Sequence, residues 1–325
     1  MVIKSDKGIM NMDCYAVKHK DANVVDESRS GGIFTAVSDY VLSQGGVVYG
    51  CVLEDDLLAY HRRTVCKEER DRMRGSKYIQ SKLGDTFNTV KKDLDNGLQV
   101  LFTGTSCQIS GLKNFLKNDY ESLICIDLVC HGVPSPKIWK AFINWIEKSK
   151  RVHIVSANFR NKKKFGWEDH VETLKTVDNR EIDSRVFKWM VYNHEILRPA
   201  CYECKFKSIS HPGDITIADY WGIEKVAPEF NDNKGTSLVL VNTDKGKRIF
   251  EAIKEDILFK ETNIEDSMQP AFIAPFQCPI DRNEFWIEFE NKPFVFLAKK
   301  YGDYGVLNKT RHMVGKMLRK IGLRS

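Results

Sequence analysis

Residues 98–130, LQVLFTGTSCQISGLKNFLKNDYESLICIDLVC, decide the fold. LQVLFTG is a short apolar run closed by glycine and reads as a buried strand. CQISGLKNFLK reads as a helix, and SLICIDLV as a second buried strand. Strand, helix and strand in close succession argue for a sheet with parallel neighbours and helices on its faces. In such sheets ligand sites form beyond the carboxyl ends of the strands. Cys107 directly follows the first strand and Cys130 the second. If the two strands run parallel, both thiols stand at one edge of the sheet.

The same alternation extends outward. GGIFTAVSDYVLSQ carries Ile33, Val37, Tyr40 and Val41 at helical spacing, and GGVVYGCVL reads as a buried strand after a glycine pair. QSKLGDTFNTVKKDLDNG reads as a helix stopped at Asn96–Gly97. SPKIWKAFINWIEKSK is a helix with Trp139, Phe142, Ile143 and Ile146 on its apolar side. Further along, RVHIVSANFR, DHVETLKTV, REIDSRVF, DITIADYWG and SLVLVNT read as strands, and KGKRIFEAI as a helix. The expectation is an α/β fold, a largely parallel or mixed central sheet with flanking helices, plus an α+β C-terminal part. Residues 1–28 read as an irregular polar leader, 29–150 as the α/β part and 151–298 as the α+β part. Residues 299–325 read as a basic amphipathic tail.

The chain has 325 residues, 42% of them hydrophobic and 29% charged, ordinary values for a globular protein. No run approaches the ~20 apolar residues of a membrane span. The N-terminal residues lack the apolar core of an export signal, so a cytoplasmic location is expected. The net charge of +6 belongs to the tail, where eight Lys or Arg face one Asp between Lys299 and Ser325. The remainder is close to neutral, which argues against a nucleic-acid partner. In the tail, Met313, Met317, Leu318 and Ile321 share a face with cations opposite, suited to peripheral membrane contact, an acidic redox partner or the protein's own domain.

Nine cysteines, an odd number, argue for a reducing compartment and against a disulfide framework. Cys51 and Cys125 fall inside apolar strands, Cys66 is unremarkable, and Cys14 and Cys278 are spare candidates. Cys107, Cys130 and the C-x-x-C pair Cys201 and Cys204 instead sit in punctuation segments rich in Gly, Pro or polar residues. Four thiolates complete either a 4Fe–4S cluster or a structural zinc site. Zinc usually takes a second local cysteine pair, which is absent here, so a metal cluster is the stronger expectation. His131, next to Cys130, is an alternative ligand or a loop-ordering residue.

Three loops suit a dinucleotide. SRSGGIF opens a helix with a glycine pair, at an end that favours phosphate. Arg74, Gly75, Ser76, Lys77 and Tyr78 combine a flexible glycine, a hydroxyl and two cations, and Thr103, Gly104 and Thr105 stand at a strand end beside Cys107. Each by itself also reads as a structural loop, and neither a G-x-G-x-x-G nor a P-loop motif is present. His131, Asp219 and Lys77 are candidate acid–base or charge-stabilising residues by position; Asp219 equally suits a bond to a loop backbone, and Lys77 a solvated surface.

Together, SGGIFTA, RGSKYIQS, TGTSCQISGL, DLVCHGVPSP and CYECKFKSISHPGDITIADYWGI resemble the ordered signature blocks of the coenzyme F-420 hydrogenase/dehydrogenase beta-subunit family, over about residues 29–225. The resemblance implies an iron–sulfur flavoprotein oxidoreductase. It implies a 4Fe–4S cluster on Cys107, Cys130, Cys201 and Cys204, and FAD near Ser30, Gly31, Gly32, Arg74, Gly75, Ser76, Lys77, Tyr78, Thr103, Gly104 and Thr105. Ser106 stands where the family block has proline. Only Cys14 occupies the region where many members carry a ferredoxin-like segment, so a separate ferredoxin or other redox protein is the implied partner. The implied substrate is a small organic molecule, and short bacterial members of this type point to a glycan precursor and polysaccharide biosynthesis. The rival readings are a non-catalytic electron-transfer or assembly subunit, and a zinc-stapled α/β protein in glycan metabolism.

Overall fold

The computed structural model describes residues 13–305. The apolar face of the tail at Met313, Met317, Leu318 and Ile321 lies outside them. Eleven strands are formed among the described residues: β1 (Asp13–His19), β2 (Val47–Leu53), β3 (Ala59–Thr64), β4 (Val100–Thr105), β5 (Leu123–Leu128), β6 (Ile154–Asn158), β7 (Glu172–Thr176), β8 (Glu181–Ser184), β9 (Ile215–Asp219), β10 (Ser237–Val241) and β11 (Ile257–Thr262). None of the described helices is long and apolar enough to cross a membrane.

The chain divides into two compact units, each drawn from three stretches. Among the described residues the first comprises 13–131, 162–169 and 203–275 and is built on an eight-stranded mixed sheet in the order β11-β1-β10-β9-β5-β4-β2-β3. Its centre is parallel: β2 pairs β4, β4 pairs β5 and β5 pairs β9 in the same direction, while β3, β10 and the β1–β11 pair add antiparallel edges. Period-two alternation sends neighbouring residues to opposite faces. Leu101, Ile124 and Ile126 pack with Ile33, Val37 and Phe250 of the helices Ile33–Ser43 and Asp244–Ala252. Val100, Phe102 and Cys125 pack with Val90, Ile109 and Leu112 of the helices Thr86–Asp95 and Ser106–Leu116. Covering both faces explains why the parallel strands read as continuous apolar runs.

Two placements differ from the sequence reading. Asp13–His19, inside the expected leader, is β1, paired on both sides by β10 and β11. Its burial comes from those distant strands, and its few apolar residues are too short a run to announce it. The strands DITIAD and SLVLV, expected with the α+β part, are β9 and β10 of the large sheet, because β9 extends the parallel centre beside β5. The IVSAN, ETLKT and EIDS segments do form a separate antiparallel sheet, β6-β7-β8.

That sheet belongs to the second unit, which among the described residues comprises 132–161, 170–202 and 276–305. Its long helix Pro136–Lys150 starts with proline after Ser135, the position where a missing N–H costs least, and ends at Arg151 in the left-handed conformation. The expected apolar side is buried, with Trp139 against Phe159 (4.4 Å between ring centroids) and Phe187 (4.9 Å).

Candidate functional site

The strands β4 and β5 are parallel and in register from Val100↔Leu123 to Thr105↔Leu128. Cys107 and Cys130 each lie two residues beyond that last pair, so both follow strands that end at one edge. Because β9 is parallel to β5 with Leu128↔Ile217, Asp219 lies at the same edge.

At β4 the chain turns straight into a helix. Thr105 is the N-cap and forms a reciprocal capping box with Gln108, which satisfies two of the backbone donors a helix start leaves unpaired. The Gln108 amide also donates to Ser81 Oγ at 2.9 Å. Gly104 leaves room for it, since a Cβ there would come within 2.9 Å of Gln108 Oε1 and push that side chain aside. Cys107 is exposed, its Sγ 3.1 Å from Thr105 Oγ1.

At β5 the chain runs into a loop held from elsewhere. Lys207 is buried (8% exposed), and its ammonium donates to the carbonyl of Cys130 and, at 3.0 Å, to that of His131. The Lys207 N–H bonds the Cys204 carbonyl at 3.5 Å, so one residue ties the Cys204 segment to the Cys130 loop. Cys201 is counted with the second unit, where it ends the turn Pro199–Cys201. Its Sγ accepts a hydrogen bond from the Val133 N–H at 3.4 Å, and Arg198 N–H donates to the Val133 carbonyl.

All nine cysteines are free thiols. Cys130, Cys201 and Cys204 are half-buried, while Cys125 is inside the sheet, where burial pushes its thiol up to about 12. Cys14 is buried in β1 and Cys278 is exposed. Among the described residues no group of three or more His, Cys, Asp or Glu side chains is gathered as a metal ion would require. In kind the four candidate cysteines suit a thiolate-bound centre: none is tied up in a disulfide, Cys107 is exposed, and the Cys201 sulfur already accepts a backbone hydrogen bond.

Each of the three loops expected near a dinucleotide is tied to neighbouring elements by hydrogen bonds. Ser30 Oγ donates to the Thr236 carbonyl, and Gly31 N–H to Ser237 Oγ, at 2.7 and 2.9 Å. A Cβ on Gly31 would lie 2.1 Å from the Val17 carbonyl oxygen, so glycine is demanded by packing against β1. Gly32 caps the helix Ile33–Ser43 with φ of 93°, and Arg74 reaches that helix through Thr35 Oγ1 at 3.0 Å. Gly75, with φ of 76°, faces open space and is followed by Ser76 and the half-buried Tyr78. Ser81, at the far end of the same segment, holds Gln108. Thr103 Oγ1 donates to the Tyr49 carbonyl at 3.1 Å.

Lys77 donates to the carbonyls of Arg72, Arg74 and Gly75 at 2.9, 2.8 and 3.2 Å, and burial lowers its ammonium to about 8. Asp219 accepts from Arg29 Nη2 (3.0 Å) and Trp167 Nε1 (3.2 Å), and its carbonyl accepts from Gln269, so it bolts the loop after β9. His131 contributes its carbonyl to Lys207.

Sequence reasoning missed Lys207, one of two lysines in a polar stretch with nothing to distinguish it. It also missed Asp127, although a lone carboxylate inside LICIDLV was a legible signal. Asp127 is fully buried and accepts from His211 Nδ1 and from Thr216 Oγ1 at 2.8 and 2.6 Å. His61, buried on β3, bonds the Thr103 carbonyl through Nε2 at 3.0 Å and stacks on Phe102.

Residues 97–267, just over half the chain, match the model of a family described as the C terminus of the coenzyme F420 hydrogenase/dehydrogenase beta subunit. The chain belongs to this beta-subunit family. Membership carries a coarse functional class, the oxidoreductases, and makes an iron–sulfur redox role the family-level expectation. A chain of the F420-reducing [NiFe] hydrogenase complex from Methanosarcina barkeri has a similar fold, with a TM-score of 0.52 at 18% identity over 78% of this chain and 82% of that one. No curated protein matches the sequence.

Proposed function

We propose that this protein is an iron–sulfur flavoprotein oxidoreductase in which Cys107, Cys130, Cys201 and Cys204 hold a 4Fe–4S cluster. The observation that carries the reading is the in-register parallel pairing of β4 and β5, which brings Cys107 and Cys130 out of the sheet at one edge. Lys207 supports it by joining the Cys204 segment to the Cys130 loop and setting a positive charge beside thiolates. The Val133 N–H gives the Cys201 sulfur the backbone donor that tunes cluster thiolates.

FAD belongs to the same reading, near Ser30–Gly32, Arg74–Tyr78 and Thr103–Thr105. Support comes from the bonds that fasten two of these stretches to the helices beside them, Arg74–Thr35 and Ser81–Gln108. The cluster handles single electrons and the flavin both single electrons and hydride, which couples the two regimes. The protein's own part is to fix the strand ends, to supply the Lys77 and Lys207 charges, and to hold Asp219 immobile between Arg29 and Trp167. The electron donor is a ferredoxin-like protein, and the substrate is a small organic molecule of the glycan-precursor class.

The test is an anaerobic spectrum of the purified full chain, with iron, sulfide, zinc and released-flavin analysis. The expected result is about four irons and one FAD per chain, with visible absorbance that bleaches on reduction. A colourless protein with stoichiometric zinc after anaerobic reconstitution with iron and sulfide would overturn the reading.

A further inference from the structure

The connection 205–214, between the C-x-x-C and β9, touches two other cysteine-bearing segments. Lys207 meets the Cys130 loop. Four residues on, His211 meets the helix that carries Cys107. The His211 side chain is 1% exposed and Asp127 fully buried, with Nδ1 2.8 Å from Asp127 Oδ2. A carboxylate only accepts, so Nδ1 carries the proton. The same Nδ1–H is shared with Ser106 Oγ, which accepts the longer branch at 3.2 Å, and the ring sits edge-on to Phe272. Thr216 holds the other Asp127 oxygen. Lys113, two turns along the Cys107 helix, donates to the Pro212 carbonyl at 2.7 Å, a second tie from that helix to the same connection.

Ser106 is the first residue of that helix. At a first helical position proline costs least, because its missing N–H has no intrahelical partner and its φ is already helical. Serine supplies no such stiffness by itself, so restraint has to come from its side chain. We propose that His211 is a positioning residue: the bridge Asp127–His211–Ser106 locks the first turn of the Cys107 helix to the end of β5, doing from outside what proline at 106 would do covalently. The consequence for a cluster rests on the ligand assignment proposed above; the bridge itself does not.

The test is amide hydrogen exchange on the full chain for the wild type, His211→Ala, His211→Asn, Ser106→Pro and the Ser106→Pro/His211→Ala double variant. His211→Ala should speed exchange of residues 107–109 by about tenfold, the scale of one lost buried hydrogen bond. His211→Asn should restore protection, because its side-chain amide can stand where Nδ1–H stood. The double variant should exchange there like Ser106→Pro alone, a non-additivity that marks one shared restraint. The proposal is overturned if Asn does not rescue, if the two effects add, or if His211→Ala loosens the whole unit evenly. Should His211→Ala not fold, the Asn and double variants still decide.

A second readout is the electron paramagnetic spectrum of the reduced, reconstituted protein. His211→Ala should change it and the double variant should restore it. If the wild type takes up no iron, the ligand assignment fails, and the exchange experiment alone judges the bridge.

Discussion

The ends of β4 and β5 lie side by side and are finished in opposite ways. After β4 the chain is secured mostly by its own neighbours: Thr105 and Gln108 cap each other and Gly104 makes room for the glutamine. After β5 a distant side chain does this work. The Cys130 loop is held by Lys207, a residue 77 positions away that donates to two consecutive carbonyls. A local cap fails by fraying one turn. A buried charge removed from a long-range clasp leaves several polar groups unpaired at once, so the second end should be the more fragile.

Three experiments sharpen or break that contrast. Lys207→Ala should have the largest effect, costing about 2–3 kcal/mol, the usual scale for hydrogen bonds to a charged group whose partners stay buried. Denaturant unfolding reads the loss, and a cost below that of capping variants at β4 would reverse the comparison.

Next is a pH effect at β4. Burial holds His61 down to about 4, against an ordinary 6.5, while its Nε2–H bonds the Thr103 carbonyl. Between those values the unfolded chain binds a proton that the folded protein refuses. Stability should therefore fall as pH drops from 6.5 towards 4, by up to about 1.4 kcal/mol per pH unit. His61→Gln keeps a donor without titrating and should flatten this part of the profile; an unchanged slope would remove His61 from the account. The smallest effect is Thr105→Ala, which should cost about 1 kcal/mol as a lost N-cap and leave the Cys130 loop untouched by hydrogen exchange.

The contrast also explains which parts of the fold are legible in the sequence. LQVLFTG, SLICIDLV and the helix between them are legible because each is dictated by its own periodicity, and their parallel pairing follows from the crossover. The helix Pro136–Lys150 is legible for the same reason, with Trp139, Phe142, Ile143 and Ile146 buried as its spacing demands. By contrast β1 has too few apolar residues to declare itself and becomes a strand only because β10 and β11 flank it. The glycine pair of SGGIF suits a phosphate when read in sequence, whereas Gly31 is required by the β1 carbonyl pressed against it. Lys77 reads in sequence as a solvated or phosphate-pairing cation, whereas three carbonyls of its own loop surround it.

The amino-acid sequence by itself determined the strand–helix–strand frame, the position of Cys107 and Cys130 just past two strand ends, and the family blocks, because those depend on residues close together in the chain. Only the tertiary structure decided that Lys207 would close the Cys130 loop and that His211 would join Asp127 to Ser106. It also decided that β9 and β10 would complete the large sheet. Those contacts join residues dozens to more than a hundred positions apart. Their energy comes from satisfying buried polar groups that no local pattern reveals.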